Sequence, residues 1–389
     1  MNIRLKRDLM KHNHKWYWLT LLFSVVILVS ANRYVVKDSA LFQDEGNMEV
    51  ARANVVDITN RQVEDFSFDG IISQAIAVTF EAEVLSGPRK GELLQAVQNL
   101  DNTPPYVYTN EVTPGNKVLL IDAGLDASEW HFAEYIRTDK LMILGGIFVL
   151  LLIFMGGRKG LNTLLSLGLS LGAVFAVLIP AILAGKNIYL WAVLICLYSI
   201  LTTLILLNGW DRKSWITIFG CSGGVLVAGI LSWIMDRSLA LTGVTGDESI
   251  YLAYLPMDTP INLQAIIFAS IIIGAMGAIM DVAMSISSAL SEIKRQSPEI
   301  TSKGLLSSGI TIGKDILGTM SNTLVLAYIG SALSTVILLT VSDASLLFLL
   351  NREMIVVEIL QALVGSFGIF FAIPLTSLFA AWLLGNNNP

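Results

Sequence analysis

The chain is 389 residues long, 54% hydrophobic and only 14% charged, with a formal charge of −6 and a mean hydropathy of +0.67. Soluble domains carry about 25% charged residues, so a water-soluble globule is excluded. A disordered chain is excluded too, because it needs low hydrophobicity and high net charge.

Crossing a hydrocarbon core about 30 Å thick takes about 20 apolar helical residues. Stretches free of Asp, Glu, Lys, Arg and His predict eight transmembrane helices: Trp16–Asn32, Leu141–Gly157, Gly160–Gly185, Asn187–Trp210, Ser214–Met235, Thr259–Met280, Ile316–Ser342 and Ile359–Pro389. The sixth extends through Asp281 towards Ser291, and the last starts near Ile355. The first two are short, and the first also reads as a cleaved signal peptide, with Val29 and Ala31 at weakly suitable positions.

Lys and Arg in tails and short loops set orientation. A cytoplasmic N-terminus places thirteen of them inside: Arg4, Lys6, Arg7, Lys11 and Lys15 in the tail, then Arg158, Lys159, Arg212, Lys213, Lys294, Arg295, Lys303 and Lys314. The opposite loops hold only Lys186, Arg237 and Arg352. Both termini are therefore expected in the cytoplasm.

Residues between Arg33 and Lys140 break the helical pattern and read as strands: Val50–Ile58, Ala75–Leu85, Glu92–Leu100 and Lys117–Ala123. Turn chemistry separates them, in Ser86-Gly87-Pro88-Arg89-Lys90-Gly91 and Thr113-Pro114-Gly115-Asn116. Four or five short strands predict a small β-barrel of the OB or SH3-like kind, outside the cell. Cys196 and Cys221 fall inside helices, so no disulfide is expected there, and the two thiols read as packing residues. The predicted organisation is a basic tail (1–15), a first transmembrane helix (16–36), an outer β domain (37–139) and a seven-helix membrane domain (140–385).

An ionisable side chain inside lipid is costly and usually functional. Asp281 is such a residue, and at helical spacing it shares a face with Gly274, Gly277, Ala278, Ser285, Ser288 and Glu292. It lies about 16 Å from Glu292 along the helix axis. The next predicted helix presents Asp315, Thr319 and Asn322 at i, i+4 and i+7. Because the two helices run antiparallel, Asp281 and Ser285 can face Asp315, Thr319, Asn322 and Thr323 in one polar site for a small solute or ion. The alternative is that the same groups only lock two helices together. Near the outer end, Glu358 reads as a headgroup contact or a partner of Arg352, and Asp236, Asp247, Glu248 and Asp258 read as a solvated acidic loop. Pro374 should kink the last helix, and Pro180 the third.

Catalytic motifs are missing. Gly309-Ile310-Thr311-Ile312-Gly313-Lys314-Asp315 has the wrong spacing for a phosphate loop. His12, His14 and His131 lie outside the spans, which leaves no zinc pair or Ser–His set in the membrane. No cofactor, no metal, no enzymatic activity and no nucleic-acid partner are expected.

Several segments together resemble the YibE/F family: Gly274–Leu290, Gly313–Ser331 (GKDILGTMSNTLVLAYIGS), Gly156-Gly157-Arg158-Lys159-Gly160, Leu241-Thr242-Gly243 and Pro374-Leu375-Thr376. The resemblance covers Leu141 to Ala381, and the first helix with the outer domain is similar to the YibE-type form. It implies a multi-pass protein of the bacterial plasma membrane, and transport as the direction of its function rather than a defined activity. The residues read as a transporter or permease in the lipid bilayer, with Asp281 as proton or cation acceptor. The competing expectation is a membrane-anchored accessory or sensor protein whose outer β domain binds a protein partner.

Overall fold

A computed structural model describes residues 3–36, 49–68, 71–101, 110–122, 130–255, 260–341 and 345–385. The chain divides into two compact units, residues 42–151 and residues 1–41 with 152–389. The side chains of Arg4, Lys6, Arg7, Lys11 and Lys15, the loop residue Asp258, and the ends of two predicted spans at Ser342 and 386–389 lie outside the described residues.

In the smaller unit, β1 (Val50–Phe68), β2 (Ile71–Val84), β3 (Leu93–Asp101), β4 (Lys117–Asp122) and β5 (Trp130–Tyr135) close a barrel in the order β1-β2-β3-β5-β4. Every pairing is antiparallel except β3 with β5. This order is that of an OB-type barrel rather than an SH3-like one. Period-two alternation fills the interior: Val78, Phe80, Ala82 and Val84 of β2 point inward against Ala53, Val55, Ala96, Val118 and Leu120. Pro114 and Gly115 (φ 89°) make the predicted turn before β4, and Asn116 Oδ1 accepts from the Thr113 amide at 2.9 Å. Two features exceed the sequence expectation. β1 and β2 are longer, and β5 has no counterpart among the four predicted strands, because its six residues gain their order from pairing with β4 and with the more distant β3 rather than from a local pattern.

Gln98 is the polar exception in this core, at 1% exposure. Its amide donates to the Asn110 carbonyl at 3.0 Å and accepts from the Val112 amide at 2.9 Å, so it pins a segment that has no strand partner of its own.

The helices are α1 (Ile3–Val36), α2 (Thr138–Ala173), a π turn (Val174–Leu178), α3 (Ile179–Leu183), α4 (Ile188–Asn208), α5 (Arg212–Ser238), α6 (Asp247–Ala253), α7 (Leu263–Gln296), α8 (Ser302–Ser331), α9 (Leu333–Val341), α10 (Leu346–Leu350) and α11 (Glu353–Gly385), and all but the part of α2 up to Leu151 belong to the helical unit. Among the described residues six helices are long and apolar enough to cross a membrane: Tyr17–Val36, Thr138–Leu183, Ile188–Asn208, Arg212–Ser238, Leu263–Gln296 and Glu353–Gly385. The second of these takes in two of the predicted spans. It breaks at Gly157 (φ 53°, ψ −127°), and a Cβ on Gly160 would collide with the Leu152 carbonyl, so the chain turns sharply there. The predicted span Ile316–Ser342 is instead divided at Ala332 between α8 and α9. Its polar residues Thr319, Ser321, Asn322 and Thr323 keep α8 below the apolarity of the other spans. Phe154 and Met155 are 86% and 84% exposed. Apolar helix surface with no protein cover needs hydrocarbon around it, so the chain is a membrane protein.

The bundle core lies where α5, α7 and α11 meet, and glycines set the approach. A Cβ on Gly224 would lie 2.8 Å from both the Gly368 carbonyl oxygen and Ile279, while Gly220 faces Thr376 and Gly313 of α8 faces Ile373. Thr217 and Ser287 share a buried hydrogen bond of 2.6 Å between α5 and α7. α11 continues as a helix through Pro374. The Ala176 carbonyl in the π turn accepts from Asn32 of α1 at 2.5 Å. Tyr17, Tyr198 and Trp210 add further hydrogen bonds along that α1 seam.

One end of the bundle is basic. Lys159 lies within electrostatic reach of Lys213, Arg212 donates to the Leu383 carbonyl, and Lys294 donates to the Pro298 and Ile300 carbonyls.

This packing makes two substitutions informative. Gly224→Val should lower stability by about 1–3 kcal/mol through overpacking, read as a lower thermal midpoint in detergent. Gln98→Leu leaves the buried Val112 N–H unpaired, a cost of about 1–3 kcal/mol, while the Asn110 carbonyl keeps the Tyr135 hydroxyl, and should speed hydrogen exchange at the Val112 amide.

Candidate functional site

Asp281 is near the middle of α7, about 27 Å along the axis from Leu263 and about 22 Å from Gln296 at 1.5 Å per residue. It is exposed, as are Ser270, Gly274, Gly277 and Ser285 on the same face. No hydrogen bond reaches its carboxylate among the described residues. Ser285 Oγ donates to the Asp281 backbone carbonyl at 2.8 Å, so the serine satisfies itself within the helix and leaves the carboxylate alone. A Cβ on Gly277 would meet nothing within 4 Å. The polar stripe of α7 is therefore an open groove rather than a sealed helix contact.

α8 runs beside this groove. Tyr328 fixes the register, because its hydroxyl lies 2.8 Å from where a Gly274 Cβ would be. Seven residues earlier on the same face of α8 comes Ser321, which brings that residue to the level of Asp281. The other residues expected in the site are placed differently. Thr319 Oγ1 donates to the Ile316 carbonyl and Thr323 Oγ1 to the Thr319 carbonyl, both at 2.9 Å. Asp315, Thr319, Asn322 and Thr323 are exposed. No side-chain hydrogen bond joins them to Asp281 or Ser285 among the described residues. Tyr328 and Ser321 escape a reading of the sequence because their role depends on where α8 crosses α7, which has no local signature.

A second polar region occupies the end of the bundle away from the basic residues. A cavity of about 310 Å³ is lined by Thr245, Glu248, Ser270, Thr335, Glu358 and Gln361 together with apolar neighbours. Ser270 belongs to the α7 stripe, so the cavity and Asp281 share one face of that helix, about 16 Å apart along the axis. Glu358 lies within electrostatic reach of Tyr328, between the two regions.

The wall of this cavity is held by Glu353. Its carboxylate accepts from the Thr242 amide at 2.8 Å, the Thr242 hydroxyl at 2.7 Å and the Gly243 amide at 2.6 Å. Gly243 has φ 90°, and a Cβ there would collide with Leu263, so only glycine lets the loop close over α7. Gln264 anchors the same loop by donating to the Leu241 carbonyl.

Two expectations at this end are corrected. Arg352 does not pair with Glu358; its guanidinium lies over the Phe348 ring at 5.7 Å. Asp236 is not part of a solvated loop, because α5 continues to Ser238 and leaves the side chain 4% exposed, with both carboxylate oxygens unpartnered. Asp247 and Glu248 form the first turn of α6, where the helix dipole favours acids. Cys196 and Cys221 are free and buried. Among the described residues no group of three or more His, Cys, Asp or Glu side chains could hold a metal ion.

No curated protein and no solved structure matches the chain. The family model of the YibE/F-like protein matches residues 144–386. That match takes in α7, α8 and α11, and so the cavity, the groove and Asp281 itself: the chain belongs to the YibE/F-like family.

Proposed function

We propose that this protein is a transporter or permease of the bacterial plasma membrane, in which the Asp281 carboxylate accepts the moving proton or cation. One observation carries the reading: a carboxylate half-way along a membrane-length helix is exposed and has no protein partner among the described residues. In hydrocarbon such a group is tolerated only when it is protonated, hydrated or bound to a cation. Each of those states is one stage of a carrier cycle. A polar side chain with a purely structural role would instead be expected to be bonded to its neighbours, as the Gln98 amide and the Glu353 carboxylate are.

The neutral groups along the groove, Ser285, Ser321 and Asn322, offer oxygen ligands without adding charge. Asp315 stands nearer the basic end of α8, where an acid attracts cations to the mouth of the groove. The excess of Lys and Arg at the basic end supports placing that end, and both termini, in the cytoplasm. The barrel would then lie outside the cell.

The carrier reading predicts that Asp281→Asn, which keeps size and removes charge, lowers proton or cation flux into proteoliposomes by at least about 10²-fold with an unchanged thermal midpoint. Flux equal to wild type would sink it. Orientation has its own check: Leu93→Cys on the barrel surface should react with a membrane-impermeant maleimide added to intact cells, and protection until lysis would reverse the topology.

A further inference from the structure

We infer that the cavity around Glu358 is a binding site for a primary ammonium group carrying a small apolar body. This names the substrate class at the cavity that shares a face of α7 with Asp281. It rests on the carrier reading for the onward movement of the ligand, but binding itself does not require transport.

Charge decides the sign of the ligand. Glu248 and Glu358 both line the cavity, and no Lys, Arg or His does so among its lining residues. Glu358 stands in the cavity lining with no basic residue beside it there, and its Oε2 atom, on the buried side, has no hydrogen-bond partner, a costly state for a carboxylate that lacks a counter-charge. The cations closest in sequence are engaged elsewhere: Arg352 over Phe348 at 5.7 Å and Arg237 over Trp233 at 4.2 Å. An anion would meet two carboxylates and no counter-charge.

The number and kind of acceptors narrow the class. The two carboxylates come with no His or Cys in the lining, and no group of three or more His, Cys, Asp or Glu side chains that could hold a metal ion occurs among the described residues. An ammonium needs three acceptors, and the cavity offers the Glu358 carboxylate, the Gln361 amide oxygen and the Ser270 hydroxyl on two facing helices. Ile266, Met354 and Val357 supply the apolar side of the same space. A volume of about 310 Å³ is too large for a bare alkali ion and sits at the lower bound for small-molecule pockets, about 300 Å³. The wall is built in advance, since Glu353 and Gly243 hold the loop over α7, and a preformed site avoids an ordering cost on binding.

The ammonium could belong to a free amine or to an ethanolamine headgroup, and the same titration separates them. Butylammonium chloride is titrated into the full-length protein in detergent by calorimetry, with sodium chloride and choline chloride as controls. Saturable binding is expected for butylammonium alone, weakened about 10- to 100-fold in Glu358→Gln and unchanged in Asp281→Asn. In nanodiscs, competition by phosphatidylethanolamine but not phosphatidylglycerol assigns the headgroup as occupant; equal binding in both assigns the free amine. On the wild-type chain, butylammonium should also slow carbodiimide labelling of Glu358, which needs no variant to fold. Equal affinity in Glu358→Gln, equal binding of choline, or unprotected labelling of Glu358 would overturn the site. Loss of flux in Asp281→Asn with butylammonium binding intact leaves both readings standing, whereas normal flux in that variant fails the carrier reading and leaves the ammonium site untouched.

Discussion

Everything in the helical unit depends on how closely α5, α7 and α11 approach one another. In a bilayer, burying apolar side chains between helices brings little gain, because lipid tails are as apolar as leucine. Association then relies on van der Waals contact and interhelical hydrogen bonds. Gly220, Gly224 and Gly368 remove the side chains that would hold the axes apart, and the Thr217–Ser287 bond crosses where the backbones are near enough for short hydroxyls to meet. α8 joins the same core through Gly309 against Ser377 and Gly313 against Ile373. These contacts bury one face of α7 and one face of α8, and by doing so they turn the remaining polar faces outward.

That division separates the polar residues into two kinds. Most hydroxyls in the helices, including Ser285, Thr319, Thr323 and Ser377, return their proton to a carbonyl three or four residues earlier. They are satisfied wherever the helix is placed, and so carry little information about function. Carboxylates have no proton to return. Glu353 is satisfied by a loop that folds around it, whereas the Asp281 carboxylate has no hydrogen-bond partner among the described residues and the Oε2 atom of Glu358 is unpartnered. The pinned glutamate thus contrasts with Asp281, Glu358 and the buried Asp236, whose oxygens find no such partners.

The barrel follows a different rule. Its interior is a small hydrophobic core of alternating strand residues, closed without cysteines. Closing the ring removes the exposed strand edges that an open sheet of this size would present. Its ion pairs, Arg52 and Lys117 with Asp139 at 2.8 and 2.7 Å, are partly solvated, and pairs of that kind contribute little to stability.

The sequence alone established the membrane class, most span positions, the β-rich insertion and the family, because each rests on a local property: a run of apolar residues, an alternation of period two, or an unbroken motif. It also singled out Asp281, since an acid inside an apolar run stands out without any knowledge of neighbours. What it could not establish were facts of relative placement. That Ala332 divides a predicted span, that β5 closes the barrel between β4 and β3, that Asp236 is buried rather than solvated, and that Arg352 turns from Glu358 to Phe348 all depend on which elements meet. Only the tertiary structure decided that the Asp281 face is open and that Tyr328 of α8 meets it at Gly274. The physical reason is that helix periodicity tells which residues share a face, whereas the close glycine contacts of α5, α7, α8 and α11 determine which face is covered.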